Sequence, residues 1–178
     1  THCLHDAASD RVLSMMNYLG MHNALDERVK LIFVPCYLTG QDGIFNQPYY
    51  QLVCGNDLCV YPSYYEPWGY TPLEAIAFHV PCITTDLAGF GLWANHTVGH
   101  VATLADGVCV VHRDDNNYQQ VATAICQAIA HYAKADEMQR KACQKAAWNL
   151  SKAALWKHFI PYYEKAYALA LHKAAARA

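Results

Sequence analysis

Charge is scarce in this chain and nowhere concentrated. Of 178 residues only 16% are Asp, Glu, Lys or Arg, the formal net charge is −2, and the 13 basic side chains form no stripe. Proteins that hold nucleic acid regardless of sequence neutralise its phosphates with dense Lys and Arg, so no nucleic-acid partner is expected. A small anionic ligand needs only local donors and stays open. Long apolar runs are also missing. Nothing approaches the roughly 20 consecutive apolar residues that cross a bilayer, so no membrane partner is expected either. Cys-x-x-Cys is absent: the eight cysteines at 3, 36, 54, 59, 82, 109, 126 and 143 fall at irregular spacing, several inside apolar runs. They read as reduced core thiols of a cytoplasmic protein. Thr1–Asp10 holds neither a starting Met nor a targeting pattern, so the chain is expected to begin inside something longer.

Metal-site spacing is equally thin. His96 and His100 lie four apart, and His2, Cys3 and His5 cluster, but no third and fourth ligand accompanies either set; no metal is expected. Asn95-His96-Thr97 and Asn149-Leu150-Ser151 match a glycosylation triplet of a kind that arises by chance, and they receive no function.

What is present is a hydrophobic content of 54%, enough for one domain with a sizeable core over residues 1–178. Strand-like runs at Val29–Val34, Leu58–Tyr61, Pro81–Thr85 and Val108–Val111 alternate with helical patterns near Ala7–Leu19, Tyr49–Cys54, Pro72–Phe78 and Tyr118–Tyr132. That alternation predicts an α/β fold, a Rossmann-like doubly wound parallel sheet, over 1–135. Residues 136–178 read as helices only, a helical C-terminal extension. There Leu155, Trp156, Phe159, Ile160, Tyr163 and Tyr167 recur at three- and four-residue spacing, as packing residues do, and Pro161 either kinks one helix or begins another.

The informative stretch is Leu58–Gly91. A strand runs into Pro62, a turn of Pro, Gly and aromatics follows, and a helix starts near Thr71. This turn therefore lies outside the carboxyl end of a strand, where open α/β sheets bind ligands. Thr71, Pro72 and Glu74 read as N-cap, first helical residue and third, a capping box. Free N–H groups at such a start favour a diphosphate, and Gly69 permits close approach. Gly89-Phe90-Gly91 lacks the third glycine of a dinucleotide fingerprint, which argues against an oxidoreductase.

Glu66 and Glu74 stand either side of seven residues in Glu66-Pro67-Trp68-Gly69-Tyr70-Thr71-Pro72-Leu73-Glu74, with Tyr61-Pro62-Ser63-Tyr64-Tyr65 before, Ile83-Thr84-Thr85 after and Gly89-Phe90-Gly91 beyond. These words resemble the eukaryotic-type glycogen synthases, retaining glycosyltransferases of the two-lobed GT-B architecture. The likeness extends more thinly through Asp26–Lys30 and Asn149–Leu171. It implies a truncated C-terminal nucleotide-sugar-binding lobe that transfers glucose from UDP-glucose to the 4-hydroxyl of an α-1,4-glucan with retention and without a metal or other cofactor. The acceptor would be met through a missing N-terminal lobe, and the isolated chain would be inactive.

By the same resemblance Glu66 is the catalytic candidate beside the donor sugar, and Glu74 binds ribose unless it only completes the capping box. Trp68, Gly69, Tyr70 and Thr71 offer backbone donors to the diphosphate, and Tyr49 stacks on the base. No arginine lies in a motif suited to the leaving group. Relatives bind glucose 6-phosphate on an arginine-rich helix, of which Glu137–Ala146 keeps only Arg140, so strong activation by that effector is not expected. A non-catalytic sugar-nucleotide module and a GT-B transferase with another donor or acceptor are the alternatives. The oligomeric state stays open.

Overall fold

In a computed structural model, residues 4–177 are described. His2 and Cys3, which belong to the expected His/Cys cluster, lie outside them. By its contacts the chain forms two compact units, Thr1–Leu52 and Val53–Ala178.

The first unit is small and loop-rich. Helix α1, Arg11–Tyr18, is capped by Asp10, whose carboxylate accepts from the Leu13 amide at 2.9 Å; the cap explains why the helix begins later than the predicted Ala7. The strand expected at Val29–Val34 does not form. Among the described residues no strand pairs with it, and the Asn23 side chain takes that role: Leu31 N donates to Asn23 Oδ1 at 2.8 Å and Asn23 Nδ2 donates to Leu31 O at 2.7 Å. Val29 and Ile32 are left exposed. Asp42 organises the following turn by accepting from the amides of Ile44, Phe45 and Asn46, which hold its carboxyl down at about 2. A groove of about 280 Å³ lies against α1, lined by apolar residues such as Val12, Met15, Met16 and Leu31. Helix α2, Tyr49–Cys54, starts in this unit with the predicted bounds.

The second unit holds the sheet. Strands β1 (Cys59–Val60), β2 (Cys82–Thr85) and β3 (Val108–Val111) run parallel in the order β1-β2-β3, with Cys59 opposite Cys82 and Ile83 opposite Cys109. All four residues of β2 are buried, as expected for a central parallel strand covered on both faces. Helix α3, Tyr70–Ala77, follows β1, and helix α4, Gly89–Val98, follows β2. One face of the sheet meets these two: Cys82 Sγ lies 3.8 Å from Pro72 O, and a Cβ on Gly91 would lie 3.3 Å from Val110 Cγ1. The other face meets α5, Tyr118–Lys134, whose Val121 and Tyr132 cluster with Ile83 and Val111. Full burial of side chains such as Phe90, Ile76, Ile83 and Val108 contributes about 1.5–3 kcal/mol each for the larger ones.

Helix α4 has no counterpart in the predicted elements, because two glycines in its first three residues weaken the helical signal. They are required by packing. A Cβ at Gly89 would sit 2.2 Å from Pro67 O, and one at Gly91 would sit 2.2 Å from Thr85 O.

Helices α6, Glu137–Ala153, and α7, Trp156–Ala175, complete the unit, and α7 runs through Pro161 as a single helix. The expected packing stripe is only partly buried. Phe159 packs on Trp68 and Trp93 at 5.7 and 6.4 Å between centroids, whereas Trp156, Ile160, Tyr163 and Tyr167 stay exposed. The cysteines divide likewise: Cys59 and Cys82 are buried, but Cys54 and Cys126 are exposed, so those two are not core residues. Burial pushes the Cys82 thiol well above its ordinary range.

Candidate functional site

The carboxyl ends of the three strands gather the segments that matter: Tyr61–Gly69 after β1, Asp86–Ala88 after β2 and His112–Asp115 after β3. Backbone bonds tie the first two together. Glu66 N donates to Leu87 O at 3.3 Å, Gly89 N to Glu66 O at 3.1 Å and Phe90 N to Trp68 O at 2.6 Å, with Glu66 and Ala88 forming a parallel bridge. The start of α4 thus spends its Gly89 and Phe90 amides on the carbonyls of the Glu66–Trp68 turn.

The start of α3 differs from the predicted one. Gly69, at φ 114° and ψ 78°, is the N-cap, and no side chain caps the helix. Thr71 is therefore the second helical residue and Pro72 the third. The Thr71–Glu74 capping box does not form, and Glu74 sits a turn inside the helix, half-buried. Pro72 is tolerated there because the first four N–H groups of a helix have no intrahelical partner, so the missing one costs nothing. Left-handed backbone is what glycine supplies cheaply, and it sets the helix start two residues earlier than side-chain capping chemistry suggests. The amides at this start that lack an intrahelical partner are those of Gly69, Tyr70 and Thr71; Tyr70 and Thr71 are exposed, and Gly69 is buried. The helix dipole adds positive potential there.

Glu66 is half-buried, and its Oε2 accepts from Ser63 Oγ at 3.1 Å. A Cβ on Gly69 would approach that same oxygen to 3.5 Å, so carboxylate and helix start are immediate neighbours. Trp68 turns its ring away into an aromatic cluster, 6.1, 5.8 and 5.7 Å from Phe90, Trp93 and Phe159. Only its backbone belongs to the candidate site. Glu66, Trp68, Gly69, Tyr70, Thr71 and Glu74 are thus gathered on one turn and the helix that follows. Tyr49 belongs to the first unit, where it opens α2 half-buried, its ring 5.4 Å from Tyr50.

Sequence reasoning passed over the residues that hold this turn. Thr85 Oγ1 donates to Ser63 O at 2.6 Å, and Arg113 Nη1 donates to Pro62 O at 2.7 Å with its guanidinium 4.8 Å over the Tyr64 ring. Tyr64 bonds Asp115. Asp86 accepts from Arg113 N at 2.8 Å and pairs with His112 Nδ1 at 2.6 Å, which raises the His112 pKa. The signal was their position at the ends of predicted strands. Among the described residues no group of three or more His, Cys, Asp or Glu is arranged to hold a metal, and no helix is long and apolar enough to cross a membrane.

Chemically, the arrangement offers a carboxylate beside a row of backbone donors, suited to a ligand with an anionic group and hydroxyls. Fold and turn define an α/β domain compatible with the Rossmann-like class. Residues 1–177 match the family profile of glycogen synthase. The chain is 33% identical over 175 residues to the liver glycogen [starch] synthases of Rattus norvegicus and Homo sapiens, and 32% identical over 173 residues to glycogen [starch] synthase isoform 2 of Saccharomyces cerevisiae. These alignments cover 97–98% of this chain and 24% of each relative. The chain belongs to the glycogen synthase family, and it spans about a quarter of the length of the curated relatives it matches.

Proposed function

We propose that this chain is the donor-binding part of a glycogen synthase, the C-terminal lobe of a GT-B enzyme that transfers glucose from UDP-glucose to the 4-hydroxyl of an α-1,4-glucan with retention. The observation that carries the reading is the glycine-capped, side-chain-free start of α3 directly after Glu66 at the carboxyl edge of the sheet, in a chain of this family. The diphosphate is met by the amides of Gly69, Tyr70 and Thr71, an electrostatic role that a metal fills in other transferases. Glu66 faces the donor sugar and stabilises positive charge developing at the reacting carbon. By the same family resemblance Glu74 is assigned to the ribose, and base stacking, worth roughly 1–3 kcal/mol in comparable sites, is assigned to Tyr49 of the first unit.

Arg113 sits near this edge but is committed to the Pro62 carbonyl and the Tyr64 ring. Further cations for the leaving diphosphate, and the acceptor contacts, therefore come from parts of the protein outside this chain, and the isolated chain binds donor without transferring glucose. The protein works in the cytoplasm without a metal. Lys141 pairs with Glu137 at 2.6 Å on an exposed face of α6. With Arg140 the one arginine of that stretch, strong activation by glucose 6-phosphate is not expected.

Calorimetric titration of the isolated chain with UDP, ADP and NAD in turn tests the reading. UDP should bind and the other two bind more weakly. Preference for NAD, or no binding of any nucleotide, overturns it.

A further inference from the structure

Glu66 reaches its place through a short relay. Thr85 ends β2 and is fully buried, and its β-branched side chain has little freedom about χ1. Its hydroxyl holds the Ser63 carbonyl at 2.6 Å, and the Ser63 hydroxyl in turn donates to Glu66 Oε2 at 3.1 Å. One residue earlier, Arg113, two residues beyond β3, holds the Pro62 carbonyl at 2.7 Å. The backbone of Glu66 is anchored separately, through Leu87 O and Gly89 N. Backbone bonds set where the glutamate begins, but its side chain still rotates about three torsions. Among the hydrogen bonds of the described residues, the one that reaches its carboxylate comes from Ser63.

We propose that Ser63 is a positioning residue for Glu66: its backbone is held from β2 by Thr85 through the Ser63 carbonyl, and its hydroxyl donates to Oε2 and orients the carboxylate toward the ligand. The inference rests on the reading of Glu66 as the residue beside the donor sugar. Ser63 touches no substrate and acts through Glu66. Its loss therefore leaves the nucleotide contacts of the Gly69–Thr71 amides intact and frees a group whose orientation matters at the reacting carbon. Misplacement of a reacting group by about 1 Å can cost on the order of 100-fold in rate.

The test uses the full-length protein containing this chain, with UDP-glucose and an α-glucan acceptor, and compares Ser63→Ala, Glu66→Gln and the double variant. The rate constant kcat, KM for the donor, the Kd of UDP and Tm are measured for each. Ser63→Ala should lower kcat about tenfold or more with KM, UDP affinity and Tm nearly unchanged, and should add little to the loss already caused by Glu66→Gln. Near-normal kcat for Ser63→Ala beside an inactive Glu66→Gln overturns the positioning role and leaves the assigned function standing. A parallel loss of UDP affinity and Tm shows that Ser63 merely holds the fold, and also overturns it. Near-normal turnover by Glu66→Gln removes the reading of Glu66 itself.

Discussion

Helices α3 and α6 begin in opposite ways. Helix α6 starts on Asp136, whose carboxylate accepts from Gln139 N at 2.8 Å while Gln139 Oε1 accepts from Asp136 N at 3.0 Å, and Glu137 adds an acid to the first turn. A reciprocal capping box and a first-turn acid both serve that start. Helix α3 starts on Gly69 with no side-chain cap and no acid in its first turn. A glycine cap costs only a few tenths of a kcal/mol relative to Ser or Asp, because water can serve the amides instead. Its stability comes from elsewhere, through Pro72, Ala75 and Ile76 buried beneath its neighbours. Helix α6 closes its start with its own side chains, whereas α5 and α7, like α3, begin without a side-chain cap bond. At the carboxyl edge of the sheet the start is left open, and an open start is what an anionic ligand needs.

Removing the acid beside each start should separate them most sharply. In the full-length protein Glu66→Ala should lower turnover about 100- to 1,000-fold, the scale of losing one key electrostatic group, while Glu137→Ala leaves it near normal; steady-state assays decide. Comparable losses for both variants would erase the contrast.

Two glycines give the next largest effect. A Cβ at Gly89 would strike Pro67 O at 2.2 Å, and one at Gly107, already at φ 85°, would strike Ala147 N on α6 at 2.1 Å. Forced repacking typically costs about 1–3 kcal/mol, so both Gly→Ala variants should unfold at lower urea concentration. Only Gly89→Ala should also weaken UDP binding by calorimetry, because only it displaces the Glu66–Trp68 turn.

The caps themselves should differ by less. Asp136→Ala is expected to cost about 1 kcal/mol, whereas Thr71→Ala, which removes no cap bond, should change stability by under about 0.5 kcal/mol. Urea unfolding of the chain measures both, and a full capping penalty for Thr71→Ala would mean that the box forms after all.

The smallest effect is a pH dependence at the carboxyl edge. Asp86 raises the pKa of His112 above its ordinary value of 6.5. The stabilisation from this pair is complete below pH 6.5 and is lost as pH rises through the raised folded value. His112 is largely exposed, so the change is slight. Its signature is that Asp86→Asn flattens the urea midpoint between pH 6 and 8, and an unaltered slope in that variant would assign the dependence elsewhere.

Much of this was legible along the chain. β3 and α2 have the predicted bounds, β2 and α5 lie within two residues of theirs, and the turn at the end of β1 stands where the strand-turn-helix order put it. The capping box at Thr71 was a sound local pattern that lost to a neighbour two residues earlier. Gly69 enters the left-handed region, and Pro72 needs no partner at any of the first four positions. Val29–Val34 has strand composition, but a strand exists only by pairing, and Asn23 supplies those bonds from a side chain.

The sequence by itself determined the family, the alternation of strands and helices, and the residues gathered in Glu66–Glu74, because those features are written in composition and in spacing of a few residues. Only the tertiary structure decided how the turn is held. Thr85 reaches Ser63 across 22 residues and Arg113 reaches Pro62 across 51, while Gly89 and Gly91 are glycines because backbone from the preceding turn and strand presses against them. Bonds over such separations leave no periodic trace, since their partners meet only once the parallel strands have brought their carboxyl ends together.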